Sequence, residues 1–198
     1  YIIVAITSLG KSTPALQLVE QIADSGRDVI IYSLEMARAE LMSKSISRHT
    51  LIDVLDNNGD IANAKTNRGI TNGARYTHYS EEERAIISRA ITSYSKYARR
   101  VHILEGIGDI GTDQIRETVR KGTIQAKKEG RQPPVVLVDY IQILAPHDVR
   151  ATDKQNMDKS VLDVGQDVDW ARGPVVQGLR ELVLLAPLQD RQNRQRVR

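Results

Sequence analysis

The run Ile2-Ile3-Val4-Ala5-Ile6-Thr7-Ser8-Leu9-Gly10-Lys11-Ser12-Thr13 sets the architecture expected for the rest of the chain. Four apolar residues read as a buried strand. The strand enters a loop of small residues, and the loop ends in Gly-Lys-Ser at the start of a helix. This order suits a phosphate group. Backbone N–H groups around Gly10 to Thr13 can converge on one concavity, and the helix dipole adds positive potential there. Lys11 can reach β- and γ-phosphate oxygens, and the Ser12 hydroxyl can ligate Mg²⁺. Pro14 falls in the first helical turn, where its missing N–H costs no intrahelical bond. The general pattern has glycine five residues before Gly10, and this chain has Ala5. The motif is therefore imperfect, and the strand before it and the helix after it carry the assignment.

Working outward, apolar runs alternate with helix-length segments. Strands are expected at 1–5, 28–33, 101–104 and 134–144. Helices are expected at 13–25, 37–48, 80–98 and 113–128, with a short helix and an irregular excursion between 51 and 79. Ser80 and Glu83 have the spacing of a capping box, and Glu81 to Glu83 suit the positive end of a helix dipole. Such alternation predicts an α/β fold with a mostly parallel sheet flanked by helices.

Two acids end apolar strands. Glu35 follows the second strand in Ser33-Leu34-Glu35-Met36, and Asp139 closes Val135-Val136-Leu137-Val138-Asp139. Ligands of parallel sheets collect at the carboxyl ends of strands, so both would stand near the phosphate loop. From position alone two roles stand open for Glu35: polarising the water that attacks a phosphate, or capping the helix that follows. Asp139 has the form of a second metal-binding carboxylate, although an ordinary core strand followed by a turn acid has the same form.

Taken together, Ala5 in place of the first glycine, Ser8-Leu9-Gly10-Lys11-Ser12-Thr13, the strand ending in Ser33-Leu34-Glu35-Met36, and the later run through Asp139-Tyr140-Ile141-Gln142 resemble the DnaB-type replicative DNA helicases. The likeness extends to about residue 163. It implies a RecA-like ATPase core in which the phosphate loop (Ala5, Ser8, Leu9, Gly10, Lys11, Ser12, Thr13) binds ATP and Ser12 and Asp139 hold Mg²⁺. Glu35 would be the catalytic base beside Lys11, and Gln142 a phosphate sensor. It further implies a homohexameric ring threading single-stranded DNA, an arginine from the next subunit completing each site, and a helicase loader or primase as partner. Two other readings keep the fold: a RecA-like recombinase or clock-type ATPase, and a nucleotide-binding module inactive in isolation.

The resemblance fails beyond residue 164. Residues 1–164 read as the ATPase core, with its N-terminal part missing because the chain opens inside a strand. Residues 165–198 read as a divergent segment with a basic tail. Residues 174–176 could begin the sensor strand that the family would carry there, and the apolar run at 181–188 comes too late for it; no sensor or arginine finger is assigned from this region.

Composition adds limits. The net charge is +3, and the four arginines of residues 187–198 against Asp190 supply all of it. Such a tail could hold nucleic acid or be a solvated terminus. The chain has no cysteine, which excludes a disulfide framework, a thiol nucleophile and a Cys-ligated zinc site. No apolar run approaches the roughly 20 residues of a membrane span, and no signal peptide opens the chain. A cytoplasmic location is expected. Gly106-Ile107-Gly108-Asp109-Ile110-Gly111 matches a dinucleotide-binding pattern, but reads better as a glycine-rich turn. The four histidines share no ligand spacing. Lys121, Lys127, Lys128 and Arg131 read as a solvated helix end before a DNA contact.

Overall fold

A computed structural model describes residues 2–5, 10–105, 110–139, 150–152, 155–156, 158–160, 162–163 and 182–187, the first and last of these as backbone strands. Five strands form one sheet: β1 (Ile2–Ala5), β2 (Val29–Ser33), β3 (Val101–Glu105), β4 (Val135–Asp139) and β5 (Leu182–Pro187). Their spatial order is β1-β5-β4-β2-β3, and every neighbouring pair is parallel. The α/β fold with a parallel sheet follows the alternation expected from the sequence.

One expectation is corrected. Leu182–Pro187 does not come too late; it pairs with β1 and β4 and fills the place between them. A strand this apolar needs neighbours on both sides, and the gap between the first strand and the Asp139 strand supplies them. Residues 174–176, the competing candidate, lie outside the described residues.

Both described faces of the sheet are covered. Ile31 stands level with Ile103 on one side and Leu137 on the other. These three join Val29 and Val135 in a core with Ala15, Leu16, Val19 and Ala23 of α1 (Ser12–Asp24). Leu41 of α2 (Arg38–Asp56) and Tyr94 and Tyr97 of α5 (Glu81–Ala98) complete it. The opposite face, which carries Ile30, packs on α6 (Thr112–Lys128): a Cβ built on Gly122 would lie 3.4 Å from Ile30 Cδ1 and from Pro134 Cγ. Every residue of β2 and β4 is buried, which explains their unbroken apolar spelling.

The second helix is longer than expected, continuing past residue 48 to Asp56. The extension packs on α5: Val54 is buried, and Asp53 accepts two 2.8 Å hydrogen bonds from the Arg89 guanidinium. Tertiary contact thus carries a segment whose local spelling is weakly helical. A 3-10 turn (Ile61–Asn63) and two short helices, α3 (Asn67–Thr71) and α4 (Gly73–Tyr76), follow it.

α5 starts as its sequence requires. The Ser80 hydroxyl accepts the Glu83 N–H at 3.2 Å, and the Glu83 carboxylate accepts the Ser80 N–H at 2.7 Å. Lys65 binds the other Glu83 oxygen at 2.5 Å and holds its carboxyl below the usual range. Ser80→Ala is expected to lower stability by about 1 kcal/mol, measured as the shift of a urea unfolding midpoint, because it leaves a helix-end donor unpaired.

Candidate functional site

The carboxyl ends of the strands share one rim. In register, Ser33 of β2 stands between Asp139 of β4 and Glu105 of β3, while Asp139 is level with Leu185 of β5. Ala5, at the end of β1, is level with Pro187. β1 ends at this rim, and the turn bearing Glu35 leaves β2 there.

Gly10 has φ +73°. Nothing lies within 4 Å of a Cβ built on it, so the backbone conformation, not crowding, calls for glycine. Lys11 then takes up helical angles and α1 begins at Ser12. Lys11 and Ser12 are half-buried and Thr13 is exposed. The Thr13 N–H donates to the Gly10 carbonyl at 3.0 Å, so this amide closes the turn. Ser8, Leu9 and Gln142 lie outside the described residues, as do 106–109 of the glycine-rich run. Gly111 of that run is the N-terminal flank of α6 at φ −96°, its N–H bound to the Gln114 side chain at 2.8 Å.

Asp139 is 4% exposed, and its Oδ1 has no hydrogen-bond partner among the described residues. A buried carboxylate oxygen is costly unless a donor or a cation meets it. Asp139 therefore fits a hard cation such as Mg²⁺, which prefers one or two carboxylates plus phosphate oxygens. Among the described residues no group of three or more histidine, aspartate or glutamate side chains could hold a metal by itself.

The Glu35 turn is tied to this carboxylate strand. The Leu34 N–H donates to the Asp139 carbonyl at 2.9 Å, and the Ser33 hydroxyl donates to the Met36 carbonyl at 2.5 Å. Glu35 itself is exposed at the tip. On the far side, the first amide of α2 does not need Glu35 as a cap. The Arg38 N–H donates to Glu105 Oε1 at 2.6 Å, and the Arg38 guanidinium donates to the Ile103 carbonyl at 2.6 Å. Sequence reading missed Glu105 and Arg38 here. They are 67 residues apart, and no local pattern links them.

Behind the rim, α1 and α2 are joined by a buried carboxylate. Glu20 is 1% exposed, accepts from the Ser45 hydroxyl, and pairs with Arg48 at 2.8 Å. Arg48 also reaches the Tyr97 hydroxyl at 3.2 Å, and His49 Nε2 lies 2.7 Å from the same oxygen. Burial raises the Glu20 carboxyl above its ordinary range, with Ser45 and Arg48 pulling the other way. Burial pushes the Tyr94 hydroxyl up to about 12, with the Glu20 charge adding to it. The same burial holds His49 below the usual imidazole range, with Arg48 contributing. This network is structural: it lies among helices and links the one after the phosphate loop to the one after Glu35.

Lys121, Lys127 and Lys128 of α6 are exposed. Lys121 pairs with Glu117 at 3.4 Å, and Arg131 binds Asp28 and Glu129. No helix among the described residues is long and apolar enough to cross a membrane.

A family model described as the DnaB-like helicase C terminal domain matches residues 1–168. A comparison with curated proteins finds no match. Among solved structures the chain is similar to one described as an ATPase domain, with TM-score 0.70 and 22% identity. That match covers 98% of this chain and 58% of the other. It is also similar to a DnaB-like replicative helicase whose structure was described with its interactions with primase, at TM-score 0.70 and 21% identity, covering 98% of this chain and 40% of that one. At these identities the likeness carries the fold, and the chain spans less than two thirds of either solved relative.

Proposed function

Because the chain belongs to the DnaB-like helicase C-terminal domain family, we propose that it is the ATP-hydrolysing motor of a replicative DNA helicase, moving on single-stranded DNA. What supports this reading is the Asp139 carboxylate with an oxygen unmatched among the described residues, the Glu35 turn bonded to the Asp139 carbonyl beside it, and the φ-positive Gly10 opening α1 after β1 of the same sheet. In this reading Ala5, Ser8, Leu9, Gly10 and Thr13 shape the loop around the ATP phosphates. Lys11 neutralises the β- and γ-oxygens, and Ser12 and Asp139 hold Mg²⁺. The ion supplies charge neutralisation across the transferred group. Glu35 orients a water and accepts its proton as oxygen attacks the γ-phosphorus and ADP departs. Gln142, after the Asp139 strand, senses the phosphate. Oriented positioning and electrostatics supply nearly all the chemistry.

A single such site does not translocate. We take the working form to be a homohexameric ring in the cytoplasm, each site completed by an arginine of the adjacent subunit, with a loader or primase as partner. Its ATPase core is residues 1–164 together with β5, and the rest of residues 165–198 is a divergent segment with a basic tail.

The test is ATP hydrolysis by the full-length protein with and without single-stranded DNA, beside Lys11→Ala. DNA should raise the rate, and Lys11→Ala should remove both ATP binding and turnover. Turnover indifferent to DNA would point to another class of RecA-like ATPase. Binding without turnover would point to a nucleotide-binding module.

A further inference from the structure

We propose that Glu105, at the end of edge strand β3, is a positioning residue for Glu35. The inference rests on Glu35 being the base and adds a residue that no local motif identifies. The turn between β2 and α2 has two anchors. Its entry is held by the Leu34 N–H on the Asp139 carbonyl at 2.9 Å and by the Ser33 hydroxyl on the Met36 carbonyl at 2.5 Å. Its exit is held by the Glu105 carboxylate on the Arg38 N–H, 2.6 Å, with the Arg38 guanidinium on the Ile103 carbonyl at the same distance.

The exit anchor is unusual in its source. A helix start is ordinarily capped by the residue just before it, whose side-chain oxygen takes a first-turn amide. α2 has Ala37 in that place, in extended conformation and with no side chain able to cap. A cap at position 37 would take an N–H one or two residues further into the helix and would not fix where the turn sits. The carboxylate borrowed from β3 takes the Arg38 N–H and fastens the turn to the sheet. Glu105 stands in register with Ser33, at the same rim as Asp139. Glu35 is thereby suspended between two strand ends, one on each side of β2. A base that must meet a water within hydrogen-bond reach gains from such suspension, since small displacements of a reacting group slow turnover steeply.

Glu105 is exposed, so its replacement leaves the core intact. The experiment uses the full-length protein and compares Glu105→Ala, Glu105→Gln, Glu105→Ala with Ala37→Ser, and Glu35→Ala. For each, kcat, KM for ATP and the unfolding midpoint are measured. Glu105→Ala should lower kcat by about 10- to 100-fold with KM for ATP nearly unchanged. Glu105→Gln keeps an acceptor oxygen and should recover most of the rate. Adding Ala37→Ser should restore any lost stability through a local cap while kcat stays low. If the local cap restores kcat, Glu105 is only a helix cap and the proposal fails. If Glu35→Ala abolishes turnover while Glu105→Ala turns over at the wild-type rate, the proposal fails and the base assignment survives. If Glu35→Ala turns over normally, the base assignment fails and takes the proposal with it.

Discussion

Glu35→Ala is expected to lower ATP turnover by about 10²- to 10⁴-fold, the usual contribution of a positioned general base. ATP affinity should stay within about twofold, since the change removes an interaction made only as the reaction proceeds. Stability should move by no more than about 0.5 kcal/mol, because the side chain is exposed. The competing role, an acid that caps α2, predicts the reverse pattern: lost stability and retained turnover. The structure already weakens that role, because the first amide of α2 is taken by Glu105. Steady-state hydrolysis, equilibrium ATP binding and a urea unfolding curve on the same preparation separate the two. Turnover near wild type would remove Glu35 from the mechanism.

Glu20→Ala should be the most destabilising single change considered, lowering stability by about 3 kcal/mol. Glu20 is buried, and its loss takes the carboxylate from the Arg48 guanidinium inside the α1–α2 contact, leaving it the Tyr97 hydroxyl, while the Ser45 hydroxyl keeps the Leu41 carbonyl at 3.0 Å. Arg48 keeps 20% of its side-chain surface in solvent, which holds the loss toward the low end for a broken buried pair. Glu20→Gln keeps the shape and an acceptor for Ser45, and so should cost less than half as much. The upward displacement of the Glu20 carboxyl points the same way, since burial makes its charge expensive even with partners present. Unfolding midpoints of the two variants check this. Equal losses would mean that the charge itself, not the hydrogen bonds, holds α1 to α2.

Some of these features were legible from residues alone. The β1–loop–α1 spelling calls for a strand and for a helix that starts at Gly-Lys-Ser, both local properties, and the described chain has each of them. The apolar runs ending in Ser33 and Asp139 announce strands buried on both faces, and the Ser80–Glu83 spacing announces a capped helix. Local spelling also identified Glu35 and Asp139 as acids at strand ends, and the alternation implied that strand ends share a rim.

Other features belong to the tertiary structure. The extension of α2 to Asp56 is tied to α5, whose Arg89 binds Asp53 from a distant part of the sequence. The position of Leu182–Pro187 could not be read from its spelling, because an apolar run states that it is buried but not between which neighbours. The ties that hold the Glu35 turn, from Asp139 on one side and Glu105 on the other, join residues more than sixty positions apart. Sequence by itself determined most of the strands and helices of this DnaB-like helicase domain and the residue types at their ends, because backbone propensity and side-chain pattern are local. Strand order, and with it the company each carboxylate keeps, was decided only by the folded sheet, since pairing partners are chosen by the packing of the whole chain.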